Sequence, residues 1–156
     1  MVRSLGLVML IVVPIWFFAQ PPDSDAVPLR VVDPAPDVAR LLEAAPGVPV
    51  PRALPEGWRS TSSTLEPQGL RIGWVTPSGE YAEYAASSRP EFLDEITGGG
   101  AQVAERPLGG QTWRQYVDGD DHTTLVREAA GQTVAVGGVR ETTTLAEIEQ
   151  LAAGTR

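Results

Sequence analysis

The sequence predicts an α+β fold, in which an antiparallel sheet of about five to seven strands is covered on one side by a C-terminal helix. An N-terminal transmembrane helix is predicted in front of this domain. Three observations carry the prediction: an apolar run from Leu5 to Ala19, apolar and polar residues that alternate within segments of residues 69–139, and a helix-capping sequence at Thr144–Glu147.

The apolar run spans fifteen residues, whereas a membrane-crossing helix needs about 20. Arg3 can extend its side chain back to the headgroups, so we expect residues 4–19 to lie in the membrane. A cleaved signal peptide is the alternative, because its apolar core has a similar length. Cleavage after Ala19 would place Phe17 where a small residue is required, which favours a retained anchor.

The charges beside the run predict its orientation. Arg3 precedes it, and Asp23 and Asp25 follow it. Because positive charges stay on the cytoplasmic side, we expect a single-pass cell-membrane protein with a cytoplasmic N-terminus and an extracytoplasmic C-terminal domain.

The composition excludes several classes of function. The chain has 20 acidic against 12 basic residues, a net charge of −8 and no cysteine. The acidic balance argues against nucleic-acid binding, since phosphates would be repelled. The lack of cysteine excludes disulfides and thiolate metal sites.

Three regions follow from these patterns: an anchor at 1–20, a Pro-rich stalk at 21–36 and an α+β domain at 37–156. Asp33-Pro34 is the predicted start of the first helix, because Asp favours the cap and Pro the first turn. Apolar residues at helical spacing define its buried face, namely Val38, Leu41, Leu42 and Ala45.

A hairpin is predicted over 69–88, with a turn at Thr76–Gly79. Its first strand alternates Leu70, Ile72 and Trp74 with polar or small residues. Residues 90–96 predict a short helix.

Four further strands are predicted at 102–108, 111–118, 122–129 and 132–139. Gly109-Gly110 suits a tight primed turn between the first two. The last helix begins at the capping box and presents Leu145, Ile148, Leu151 and Ala152 on one face.

Several short motifs follow one another along the chain. They are Leu54-Pro55-Glu56-Gly57-Trp58, Leu70-Arg71-Ile72-Gly73, Thr76-Pro77-Ser78-Gly79-Glu80-Tyr81-Ala82, Gly110-Gln111-Thr112-Trp113 and Thr124-Leu125-Val126. In this order they resemble the uncharacterised actinobacterial membrane-anchored family catalogued as domain of unknown function 4245. The resemblance covers most of residues 29–156 and the anchor. It implies membrane anchoring and an exposed C-terminal domain, but no activity, cofactor or catalytic residue.

The densest polar cluster comprises Asp118, Asp120, Asp121 and His122. Its carboxylates suit a Ca²⁺ ion, but the cluster lacks the spacing of an EF-hand loop, and Asp and Gly also favour hairpin turns. We therefore expect a turn and assign neither a metal site nor a catalytic residue. The acid pairs Glu80/Glu83 and Asp94/Glu95 are interpreted as solvated.

Aromatic and arginine side chains provide the remaining candidate contacts with a ligand or partner. Trp58, Trp74 and Trp113 suit the core of a sheet, or alternatively a ligand groove. Arg71 and Arg114 suit an anionic group, or alternatively a solvated strand face.

Together these features predict a binding module without enzymatic activity or a cofactor. Its expected partners are the membrane, through residues 4–19, and another envelope protein or a cell-wall component. The alternatives are an envelope hydrolase or cation-dependent enzyme that uses the Asp118–His122 turn, and a lipid or small-ligand carrier with an apolar cavity under the C-terminal helix.

Overall fold

In the computed structural model, which describes residues 30–52, 54–138 and 143–156, seven strands of the described chain form one antiparallel sheet. The strands follow one another closely, and most are joined by tight turns. Their bounds are β1 Arg59–Glu66, β2 Gly69–Val75, β3 Tyr81–Ser87, β4 Ala101–Leu108, β5 Gln111–Val117, β6 Thr123–Ala129 and β7 Gln132–Gly138.

The sheet consists of two meanders with the order β1-β2-β3-β7-β6-β5-β4. Strand β3 ends the first meander and pairs antiparallel with β7, the last strand of the second. Strands β1 and β4 therefore form the two edges. The strands predicted at 102–108, 111–118 and 122–129 are confirmed to within one residue, as is the predicted hairpin over 69–88.

Three helices accompany the sheet in the described residues: α1 Ala35–Ala44, α2 Phe92–Ile96 and α3 Leu145–Gly154. The capping box of α3 is confirmed, since the Thr144 side chain accepts from the backbone of Glu147 and the Glu147 side chain accepts from the backbone of Thr144. Helix α1 begins after Pro34, and the carboxylate of Asp33 accepts from the backbone N–H of Ala35 at 3.0 Å.

One face of the sheet, called the core face here, carries the alternating apolar residues. Leu70, Ile72 and Trp74 of β2 pair with Ala86, Tyr84 and Ala82 of β3, and all are buried. Leu151 of α3 and Leu41 of α1 pack on them. The predicted cover by the C-terminal helix is thus present, and α1 shares it. Burial of such side chains contributes about 1.5–3 kcal/mol each.

The opposite face, called the second face, is partly covered by α2. Phe92 is buried there beneath two guanidinium groups, those of Arg71 at 5.5 Å and Arg89 at 5.7 Å from its ring centroid. Both arginines also form ion pairs with Glu95 of α2. The contacts of Arg71 hold the short helix against strand β2, and the helix also packs on β7. One end of the second face is left open.

The segment before β1 is tied to the end of the chain. Pro51 forms an antiparallel bridge with Thr155, and the backbone groups of Val50 and Arg156 exchange two hydrogen bonds. The buried hydroxyl of Tyr84 donates to the carbonyl of Pro49 at 2.9 Å. Residues 48–52 are therefore fixed against the core face beside α3.

The predicted anchor at 1–20 and most of the predicted stalk lie outside the described residues. Among the residues that are described, no helix is both long enough and apolar enough to cross a membrane.

Candidate functional site

A cleft of about 280 Å³ opens on the second face, beside α2 and at the ends of strands β3, β5, β6 and β7. Three acidic side chains and one histidine line it, and small residues form its floor. We call it the carboxylate cleft; its lining residues are Glu83, Glu95, Ile96, Gly98, Asp118, His122, Thr124, Ala135, Gly137 and Gly138.

The Asp118–His122 segment forms the turn between β5 and β6, at the rim of this cleft. One carboxylate oxygen of Asp118 accepts from the backbone N–H groups of Asp120 and His122, both at 2.9 Å. The other oxygen contacts Nδ1 of His122 at 2.7 Å. Asp121 adopts a φ of 61°, in the left-handed region that Asp tolerates better than most residues.

These contacts determine the chemistry of the turn. Hydrogen bonds lower the pKa of Asp118, so this carboxylate is ionised at neutral pH. The largest effect comes from the backbone N–H of His122, and smaller ones come from the His122 side chain and the N–H of Asp120. The Asp118 contact also orients the imidazole of His122 at the cleft, an arrangement that suits recognition or proton transfer.

Glu83 approaches the same cleft from β3. Its carboxylate forms an ion pair with Arg71 at 3.1 Å and accepts a hydrogen bond from the hydroxyl of Tyr81. Burial raises the pKa of Glu83, and Arg71 and Tyr81 offset only part of that rise. A half-buried carboxylate in a cleft is a candidate functional group on physical grounds.

Sequence reasoning interpreted Glu83 as a solvated residue, and the structure places it in the cleft instead. Thr124 was also missed as a lining residue; its hydroxyl donates to the carbonyl of Ile96 at 3.5 Å. The available signal was the strand alternation, which puts Glu83 on the face opposite Tyr84. That signal could not show that α2 shields one end of the face.

Arg71 and Arg114 both lie on the second face, outside the carboxylate cleft. Arg71 forms ion pairs with Glu66, Glu83 and Glu95, and two of these three carboxylates, Glu83 and Glu95, line the cleft. Arg114 pairs with Glu128 at 3.3 Å and lies over the ring of Tyr116. Each guanidinium is thus already engaged by carboxylates of the domain.

The three candidate tryptophans lie in or against the core. Trp74 and Trp113 are buried, at 5% and 0% exposure, and Trp58 packs against the same cluster. None of them lines the carboxylate cleft. The interface between sheet and α3 is packed as well, with Ile148 and Leu151 buried, and this gives no support to an apolar cavity at these described residues.

The described residues bring together no group of three or more His, Asp or Glu side chains placed to hold a metal ion. Within the turn, both oxygens of Asp118 already accept hydrogen bonds. A cation bound by both oxygens of Asp118 would have to compete with these donors.

Comparison with known proteins gives one family. The family model described as "Protein of unknown function (DUF4245)" matches residues 1–155. No curated protein and no solved structure matches the chain.

Proposed function

This chain belongs to the DUF4245 family, whose function is not known, and we propose that it is a membrane-anchored extracytoplasmic binding module. Its carboxylate cleft would receive a positively charged, hydrogen-bond-donating group, such as the amine of an envelope protein segment or of a cell-wall peptide. The observation that carries this proposal is the convergence of Glu83, Glu95 and Asp118 on one cleft.

The electrostatics of the cleft support a cationic ligand. Burial disfavours the charge on Glu83, and Arg71 compensates for it only in part. An ammonium group next to Glu83 would supply the missing positive charge and would favour the ionised carboxylate. Gly137 has no side chain, so the backbone of β7 is accessible from the cleft at this residue.

The membrane anchor is supported by sequence. The run from Leu5 to Ala19, preceded by Arg3 and followed by Asp23 and Asp25, is typical of a single-pass anchor with an outside domain. An alkaline phosphatase reporter fused after Arg156 tests this part. Activity in the membrane fraction is expected, whereas an inactive or a fully released fusion would contradict the proposed topology or anchor.

Binding is tested by calorimetry on the full chain in detergent micelles. The probe is a short lysine-containing peptide, and its acetylated counterpart is the matched control ligand. Wild-type protein should bind only the amine, and Glu83→Gln should weaken binding about tenfold or more. Glu80→Gln, which removes a charge outside the cleft, should bind as the wild type does. Equal binding of both peptides, or full binding by Glu83→Gln, would refute the proposal.

A second candidate, an envelope hydrolase, is favoured by one specific contact. The 2.7 Å contact between Asp118 and His122 orients the imidazole at the cleft that Glu83 also lines, and an oriented imidazole is a common general base for the attack of water. The full chain would then release products from cell-wall fragments, and His122→Gln would not. Stable binding without products would exclude this candidate.

A further inference from the structure

Arg127 of β6 lies on the core face, where the alternation of the strand calls for an apolar residue. It stands opposite Val134 and on the same side of β6 as Leu125. Its side chain is only 9% exposed. A positive charge therefore lies beneath the surface, on the face of the sheet that carries the hydrophobic core.

The contacts of Arg127 within the described residues leave its charge uncompensated. The guanidinium lies 4.9 Å from the ring centroid of Trp113, and Nη2 donates to the carbonyl of Thr155 at 3.3 Å. Its Nε is buried without an acceptor. In the described parts of the chain, Arg71, Arg89, Arg106 and Arg114 each form an ion pair with a glutamate, whereas Arg127 forms none.

An uncompensated buried cation is destabilising, because desolvation of the charge is not repaid by a counter-charge. Contact with an aromatic ring and a neutral carbonyl offsets part of that penalty. Burial lowers the pKa of Arg127, yet a guanidinium stays protonated in proteins. The charge thus persists, and an anion bound beside it would compensate it.

The side chain lines a cleft of about 410 Å³ that is separate from the carboxylate cleft. Arg156 contributes a second guanidinium and Gln111 an amide, and no Asp or Glu side chain is among the described residues that line this cleft. Gly109 forms one wall, with a φ of 58° and an ideal Cβ position only 3.0 Å from the carbonyl oxygen of Ala153. A larger residue at this position would be strained, so no side chain projects from this wall of the cleft.

We propose that this second cleft, called the arginine cleft, binds a small oxyanion, a carboxylate or phosphate group, between Arg127 and Arg156. A guanidinium presents parallel N–H donors that match the two oxygens of such a group. The oxyanion supplies the counter-charge that the described residues do not provide. This site is independent of the carboxylate cleft, which lies on the opposite face.

Calorimetry of the full chain in micelles with inorganic phosphate, and separately with acetate, tests the proposal at constant ionic strength. At least one anion should bind with a dissociation constant of about 1 mM or tighter. Binding of acetate alone would assign a carboxylate ligand, and binding of phosphate alone a phosphate group. Arg127→Met should weaken binding tenfold or more, and Arg114→Gln should have no effect.

Arg156→Gln provides a second variant at an exposed position, so the test does not depend on the folding of Arg127→Met. It should weaken binding by severalfold. No heat with either anion, or unchanged affinity in Arg127→Met and in Arg156→Gln, would overturn the proposal.

Discussion

Glu147 joins the start of helix α3 to the turn between strands β2 and β3. Its carboxylate accepts hydrogen bonds from the backbone N–H and the hydroxyl of Thr144, both at 3.0 Å, and from the hydroxyl of Ser78. Partial burial raises its pKa, but the hydrogen bonds from Ser78, Thr76 and Thr144 outweigh that effect and lower the pKa to about 2. Removal of this charge by Glu147→Gln should therefore weaken the attachment of α3.

The direction of the pH dependence follows from this lowered pKa. A carboxylate with a lower pKa in the folded protein stabilises the fold above its unfolded pKa, here 4.5, and that contribution is lost as the pH falls toward about 2. The difference corresponds to about 3 kcal/mol at about 1.4 kcal/mol per pKa unit. Glu147 is partly exposed, so solvent screening reduces the expected contribution to about 1–2 kcal/mol.

Urea unfolding followed by tryptophan fluorescence at pH 7 and pH 3 measures this contribution. Glu147→Gln should lower the free energy of unfolding by about 1–2 kcal/mol at pH 7 and by clearly less at pH 3. Glu149→Gln, which removes a charge from the same helix, serves as the control and should change stability by less than about 1 kcal/mol. An equal loss at both pH values for Glu147→Gln would refute the reasoning.

Three further predictions concern packing and the carboxylate cleft. Tyr84→Phe leaves the carbonyl of Pro49 without its buried donor and should lower the free energy of unfolding by about 1–3 kcal/mol. Equal urea midpoints for the variant and the wild type would contradict this. Leu151→Ala opens a cavity under α3 and should cost about 2–5 kcal/mol in the same assay; a loss below 1 kcal/mol would show that this interface is not well packed. Gly73→Ala places a Cβ 2.1 Å from the Tyr81 hydroxyl, so it should displace that hydroxyl from Glu83 and weaken amine-peptide binding severalfold; unchanged affinity would show that the Tyr81 hydroxyl does not contribute to amine binding.

Local signals in the sequence predicted most of the individual elements. The capping box at Thr144 acts between residues three apart, so it could be recognised without the rest of the fold. Gly109 and Gly110 both adopt positive φ values, 58° and 77°, as the predicted primed turn between β4 and β5 requires. The ends of β4, β5 and β6 were predicted to within one residue for the same reason.

Features that depend on distant partners were not predictable in the same way. Strand β1, Arg59–Glu66, was not identified because its serines and threonines show no apolar alternation. An edge strand meets only one neighbour, so a polar sequence is tolerated there. The pairing of β3 with β7 joins residues about 50 positions apart and leaves no local pattern.

The candidate site was predicted in part, for the same physical reason. The Asp118–His122 turn could be identified because its hydrogen bonds are local. The approach of Glu83 to that turn depends on strand order, which places β3 and β5 on either side of β7 and β6. Arg127 did have a local signal, since the alternation of β6 puts it on the side of Leu125, but its lack of a carboxylate partner required the three-dimensional structure.

The contrast between Arg71 and Arg127 separates a structural arginine from a candidate functional one. Arg71 is partly buried on the second face and contacts three carboxylates, so its charge is balanced within the domain and holds α2 in place. Arg127 is more deeply buried and meets only a ring and a neutral carbonyl among the described residues. The chain has a net charge of −8, yet in the part that the structure describes no Asp or Glu side chain forms an ion pair with Arg127. Because the two clefts lie on opposite faces of one sheet, loss of anion binding should leave amine binding intact, and each proposal can fail without the other.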